Sequence, residues 1–210
     1  MSTDNNPSPF RSPTLYPVLK EVLRGKTGLR SIQNVMTSDL QLKGSVIDLG
    51  ARDGNSSYYR FIDHSEAQIT FCDLFSEEQG VKRVDLEQPL PFDDNSFDHV
   101  LLFHVLEHVY NTDQLLSEMC RICRNQVLIV VPFSAGYHPD PHDYFRFTNE
   151  SLNLKMQSAG FSEIKVVSWG YGPFRAVCAV ALLGGNDSFQ INKIYSGWPP
   201  LAQLRIKNST

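Results

Sequence analysis

The stretch that most constrains this chain is residues 46–57, VIDLGARDGNSS. Val46-Ile47-Asp48-Leu49 is a short apolar run that stops at Gly50, and a second glycine, Gly54, comes after Ala51-Arg52-Asp53. An apolar run that ends in glycines and resumes as helix reads as a buried strand, a tight turn and a helix N-terminus. Glycines in that turn let the backbone approach a ligand closely, and free amides at a helix start favour negative charge. Asp48 is the odd member, because a carboxylate at the end of a buried strand costs stability unless something hydrogen-bonds to it. A capped turn in any α/β domain would show the same pattern, so its meaning depends on the elements around it.

Those elements alternate. Helical spacing of apolar residues marks 15–23 and 29–42, separated by Gly25 and Gly28. Residues 46–49 are the first strand, and 56–62 belong to the first crossover helix. Strands are expected at 67–72, 81–84, 97–103, 126–131, 164–167 and 176–183, with helices at 113–122 and 149–158. Strands alternating with helices imply a mostly parallel sheet with helices on both faces. Here it has seven strands, and the last two lie so close that one is expected to be an antiparallel edge strand. In such a fold the ligand sits across the carboxyl ends of the strands. Those ends carry Asp48 and Gly50, Asp73, Asp85, and Phe103-His104. Asp73 falls near the ~20-residue offset at which nucleoside-binding α/β folds place a ribose-binding carboxylate.

At 210 residues the chain is long enough for one domain with appendages. The expected division is a disordered or loosely docked segment at 1–13, N-terminal helices at 14–44, the catalytic domain at 45–184 and a tail at 185–210. A net charge of -4 argues against a general nucleic-acid binder. No run approaches the ~18 apolar residues of a membrane span, and the polar, proline-rich start is wrong for a signal peptide. A cytoplasmic protein with a small-molecule substrate is expected. Cys72 and Cys178 lie in apolar runs, and Cys120 and Cys123 close a helix with no second pair, so all four read as structural.

At these residues the chain resembles the class I S-adenosylmethionine-dependent methyltransferases, whose fold is Rossmann-like. DLGARDG matches the family's D-x-G-x-G-x-G at Asp48, Gly50 and Gly54, with Arg52 in place of the middle glycine. The run LPFDDNSFDHVLLFHVLEHV matches the family's signature around the fourth strand. The resemblance spans 45–183 and implies S-adenosylmethionine as cofactor. It implies that Asp73 holds the ribose hydroxyls, that Asp85-Leu86 lies beside the adenine with Leu74 as a second apolar wall, and that Phe103-His104 runs beneath the methionine. A dinucleotide would instead want G-x-G-x-x-G, and Asp48 and Asp53 would repel its pyrophosphate.

A sulfonium methyl needs little activation, so the protein's work is to place the acceptor, take its proton and exclude water. His104, His138 and His142 are the candidate bases, and Asp143 is placed to orient or replace them. The loop containing Tyr137-His138-Pro139-Asp140-Pro141-His142-Asp143-Tyr144-Phe145-Arg146 comes after the fifth strand. It reads either as a structural cap or as a substrate-facing lid, with Tyr144 and Arg146 as substrate contacts; Arg146 reads equally as a salt bridge back to the domain. His104-Val105-Leu106-Glu107-His108 spells the H-x-x-E-H of one zinc-peptidase class. It directly succeeds a strand, with no third ligand at a clear spacing, so no metal is expected, and His108 is assigned to the helix–sheet contact. The expected reaction is methylation of a small polar acceptor through oxygen, nitrogen or carbon, of sugar or secondary-metabolite type. The rival from another class is a methyltransferase-like binding module that acts through protein contacts.

Overall fold

The computed structural model describes residues 10–11, 15–38, 40–171 and 174–182. The tail at 185–210 and Cys178's side chain lie outside the described residues. The elements are β1 (Phe10–Arg11), α1 (Leu15–Leu23), α2 (Gly28–Met36), β2 (Gln41–Leu49), β3 (Asp63–Asp73), β4 (Val81–Arg83), β5 (Phe97–Phe103), α3 (Thr112–Ile122), β6 (Cys123–Ser134), α4 (Asn149–Ser158), β7 (Glu163–Tyr171) and β8 (Phe174–Leu182). They form one sheet in the order β1-β7-β8-β6-β5-β2-β3-β4.

Strands β4, β3, β2, β5 and β6 pair in parallel. β8 runs antiparallel to both of its neighbours, β6 and β7. The fold is therefore the Rossmann-like α/β architecture, with two differences from expectation. The antiparallel strand is internal, because a tight β7–β8 return inserts β8 beside β6. An eighth, two-residue strand is added where Phe10 and Arg11 pair with Ser168 and Trp169.

Alternation along the central strands divides the core in two. Ile47, Leu49, Val100, Leu102, Val127 and Ile129 face α3 and α4, whose Leu115, Leu116, Met119, Leu152 and Met156 are buried there. Val46, Leu101, Phe103, Leu128 and Val130 face the other way, under Val18 of α1 and Ile32 of α2. Near-continuous burial of β5 and β6 is what a strand covered on both faces requires. Buried Glu21 ties the N-terminal helices together, accepting from Asn34 Nδ2 (2.9 Å) and Arg60 Nη2 (2.7 Å).

Two helix expectations are corrected. The expected crossover helix at 56–62 is a single 3-10 turn, Ser57–Arg60, because β3 begins at Asp63 and leaves no room for more. The second helix ends at Met36; Leu40 and Leu42 instead enter the sheet approach, so 41–44 belong to β2. Among the described residues no helix is long and apolar enough to cross a membrane.

Candidate functional site

The glycine turn is built by the backbone. Gly50, Arg52 and Gly54 all have left-handed φ, at 80°, 57° and 72°. The amides of Gly50 and Ala51 both donate to the Cys72 carbonyl, at 2.8 and 2.9 Å, which pins the turn to the end of β3. A Cβ on Gly50 would collide with the Val105 side chain, and one on Gly54 would stand 3.1 Å from the Phe71 ring. Arg52 carries the left-handed conformation without glycine. Its amide donates to Asp73 Oδ2 at 2.9 Å, and its exposed guanidinium reaches Asp140 at 2.5 Å. Asp73 Oδ1 accepts the Phe75 amide at 2.9 Å. Each Asp73 oxygen keeps a second lone pair free for a hydroxyl.

Asp48 is enclosed. It is 1 % exposed, and one carboxylate oxygen accepts the hydroxyls of Tyr58 and Tyr59, at 2.5 and 2.7 Å. Burial pushes its pKa up to about 6 against the opposing pull of those two hydrogen bonds. Asp48 thus faces the protein's own hydroxyls beneath the turn.

Beside the turn lies a cleft of about 1260 Å³, which exceeds the usual range for a single small ligand. Its walls include Thr27 and Arg30 from the start of α2, Gly50 and Arg52 from the turn, Phe103 and His104 from the end of β5, and the loop at 133–140. Of the residues singled out from sequence, Gly50, Arg52, Phe103, His104 and His138 line this cleft. Gly54, Asp73, Leu74, Asp85 and Leu86 do not; they continue from the turn along the ends of β3 and β4. Asp85, on that edge, is exposed and accepts the Glu87 amide at 3.0 Å.

The loop at 133–146 folds back over the cleft and is braced from within. Arg146 donates to both Asp143 oxygens, at 2.5 and 2.8 Å, and to the Gly136 carbonyl at 3.0 Å. Its guanidinium holds the Asp143 carboxyl well below the usual carboxylate range. Asp143 also accepts the His138 amide at 2.8 Å. Arg146 and Asp143 are therefore committed to shaping the loop. His142 places its ring against Tyr144, with centroids 5.3 Å apart, outside the cleft walls. Tyr144 is half-exposed and also meets Tyr110, at 5.4 Å.

Behind the cleft, His104 takes a left-handed φ of 56°, a strained conformation of the kind that persists where surrounding contacts enforce it. Burial pushes its pKa down to about 3, so its ring is neutral. Its Nε2 has no hydrogen-bond partner. Glu107 is fully buried, neither carboxylate oxygen has a hydrogen-bond partner, and burial pushes its pKa up to about 8. His108 is corrected from its expected place in the helix–sheet contact: it lines the cleft and packs edge-on against His138, with centroids 5.2 Å apart.

Arg30 has no distinctive signal in the sequence. Arg30 lies on an ordinary amphipathic helix, and only tertiary packing brings its Nη1, buried and without a hydrogen-bond partner, to the cleft wall. Glu107 is visible within H-x-x-E-H, but its isolation depends on the loop that closes over it.

A family model described as "Methyltransferase domain" matches residues 42–131. Comparison with curated protein sequences finds no match. Among solved structures, the Burkholderia thailandensis 1,6-didemethyltoxoflavin-N1-methyltransferase is similar at TM-score 0.56 and 16% identity, over 78% of this chain and 81% of that one. The methyltransferase held by the Haloferax volcanii activator Trm112 is similar at 0.53 and 14%, over 80% and 94%. The CurJ carbon methyltransferase is similar at 0.52 and 14%, over 68% of this chain; the match spans only 49% of that protein. At these identities the neighbours speak to fold alone. Fold and glycine turn define the class: a Rossmann-like α/β domain. The domain match adds that residues 42–131, less than half of the chain, carry a methyltransferase domain.

Proposed function

We propose that this chain transfers the methyl group of S-adenosylmethionine to a small polar acceptor of sugar or secondary-metabolite type held in the cleft. One observation carries the reading: a single cleft joins the glycine turn to a wall of histidines under the 133–146 loop. In this arrangement Asp73 takes the ribose diol with its two spare lone pairs, and Leu74, Asp85 and Leu86 flank the adenine. Phe103 and His104 floor the methionine. Arg30, whose Nη1 otherwise lacks a partner, takes the methionine carboxylate beside the α2 N-terminus. Gly50 and Gly54 keep the turn bare enough for the backbone to touch the cofactor. Asp48 supports this turn from beneath through Tyr58 and Tyr59.

The acceptor then occupies the far end of the cleft, against His104 and His138; His138 is the one placed to receive its proton, because burial holds His104 neutral. The free thiols of Cys72, Cys120 and Cys123 agree with a chain that works in the cytoplasm. The named neighbours act on nitrogen and on carbon, so an acceptor panel should span nitrogen, oxygen and carbon nucleophiles.

Calorimetry with S-adenosylmethionine tests the site. Asp73→Ala should weaken binding at least about tenfold, the loss of one charge-assisted hydrogen bond. Arg30→Ala should do the same, and more so for S-adenosylmethionine than for adenosine, which lacks the carboxylate. Unchanged affinity in Asp73→Ala overturns the assignment. Tight binding with no turnover across the whole panel would favour the binding-module alternative.

A further inference from the structure

We propose that Glu107, His108 and His138 form a binding site for one divalent transition-metal ion at the acceptor end of the cleft, with His104 beside it. The argument starts from Glu107. Its buried carboxylate has no hydrogen-bond partner on either oxygen, an arrangement that is costly unless something outside the polypeptide satisfies it. Three imidazole nitrogens surround one of those oxygens: His108 Nε2 at 3.7 Å, His138 Nε2 at 3.8 Å and His104 Nδ1 at 3.9 Å. All three separations are too long for a hydrogen bond. They are close to what a shared cation needs, since ligand atoms ~2.0–2.2 Å from one ion stand roughly 3.3 Å apart in a tetrahedral site. Among the described residues Glu107, His108 and His138 bring their ligand atoms within 4.8 Å of one another.

The rings are also oriented for the task. His108 Nδ1 faces the His142 carbonyl at 2.5 Å, and His138 Nδ1 faces the Gly136 carbonyl at 2.7 Å. A carbonyl can only accept, so His108 Nδ1 carries the proton and its Nε2 keeps a lone pair on the side of Glu107; at His138 the shorter carbonyl contact favours the same tautomer over the 3.2 Å approach of Arg146 Nη2 to Nδ1. Backbone carbonyls that fix the tautomer in this way are the usual support of metal-bound histidines. Two such imidazoles and one carboxylate suit zinc or another late divalent ion better than magnesium. The short 3-10 turn Leu106–His108 explains why the peptidase arrangement does not apply. The third ligand comes from the folded-back loop, far along the chain, where sequence spacing could not reveal it.

The site opens on the cleft through His104, His108 and His138. A cation there would take an oxygen or nitrogen of the acceptor as a further ligand and lower its pKa, as bound cations do for water; with the ion bound, the acceptor's proton would pass to solvent in the cleft and not to His138, whose Nε2 then holds the ion. That role rests on the methyl-transfer reading; the metal site itself does not.

The test uses the full chain, stripped with chelator and titrated with Co²⁺, whose visible absorption reports coordination by histidine, and separately with Zn²⁺ and Mg²⁺ by calorimetry. One Co²⁺ per chain and a preference for Zn²⁺ over Mg²⁺ are expected. His138→Ala, a change in an exposed loop, and Glu107→Gln, a near-isosteric one, should each weaken Co²⁺ binding at least about tenfold. Binding of S-adenosylhomocysteine, measured on the same samples, reports whether each variant is folded and tests the cofactor site independently. Intact S-adenosylhomocysteine binding with no Co²⁺ binding, or with Co²⁺ affinity unchanged in both variants, overturns the metal site and leaves the methyltransferase reading standing. Co²⁺ binding without S-adenosylhomocysteine binding does the reverse.

Discussion

Asp48 holds its place at a cost that titration can expose. Burial raises its pKa from 3.8 to about 6, while Tyr58, Tyr59 and the charge of Arg30 pull the other way. An acid whose folded pKa stands above its unfolded one favours the folded state only while protonated. That advantage is complete below the unfolded value and is lost as pH rises through the folded one. Relative to Asp48→Asn, the wild-type chain should therefore lose on the order of 3 kcal/mol of stability between about pH 4 and pH 7.5. Urea melts of both proteins across that range are the check, and parallel profiles would refute the raised pKa. Gly50 is constrained differently. Its left-handed φ and the Val105 side chain oppose any Cβ. Gly50→Ala should cost about 1–2 kcal/mol from the backbone alone, and more from the collision. Cofactor affinity should fall with it; a stable Gly50→Ala variant with full affinity would show that the turn is not in contact with the cofactor.

The loop at 133–146 and the helix beyond it are the elements on which the cleft's shape depends. Arg146 spans the loop from Asp143 to Gly136, and Asp143 is almost wholly buried beside it. Arg146→Ala leaves that carboxylate without its cation, a change that costs about 3–5 kcal/mol when a pair is fully buried and less here, where Arg146 is partly exposed. Hydrogen exchange should rise over the loop while α3 stays protected; equal exchange in both would show that the brace is not local. α4 starts with a reciprocal cap, the Ser151 amide on Thr148 Oγ1 and the Thr148 amide on Ser151 Oγ, both at 3.0 Å. Thr148→Ala should cost about 1 kcal/mol, read from the denaturation midpoint. These elements also show what periodicity can and cannot deliver. β5 and α4 occupy the residues expected of them, because a run of seven with five buried apolar residues and a polar N-cap opening a helix have few alternatives. Periodicity overextends α2 because Leu40 and Leu42 continue a helix-compatible spacing although they serve the sheet. It turns the 3-10 turn into a crossover helix because chain length, not local preference, forbids the longer element.

At the scale of the whole molecule, the two cores bury both faces of the sheet and leave the carboxyl ends of β2, β3 and β5 for the ligand. That much is legible in the sequence, since Gly50, Asp73 and His104 each stop an apolar run. The histidine wall is not, since it requires a loop to return across the sheet and meet a motif that looks complete in sequence. The same architecture couples ligand to stability. In the proposed site a nucleoside bridging the glycine turn and Asp73 would touch the ends of β2 and β3 together, so it should bind only when the parallel sheet is assembled. S-adenosylhomocysteine at 100 times its dissociation constant should add about 2.7 kcal/mol to the folded state. In a domain of this size that corresponds to a rise of roughly 5–11 °C in Tm. Asp73→Ala, with affinity about tenfold weaker, should lose about half of the shift at the same concentration while keeping its ligand-free Tm within a few degrees, because its two backbone partners lie in exposed turns. A cooperative wild-type transition that millimolar S-adenosylhomocysteine leaves unmoved would mean that the sheet ends do not hold this nucleoside.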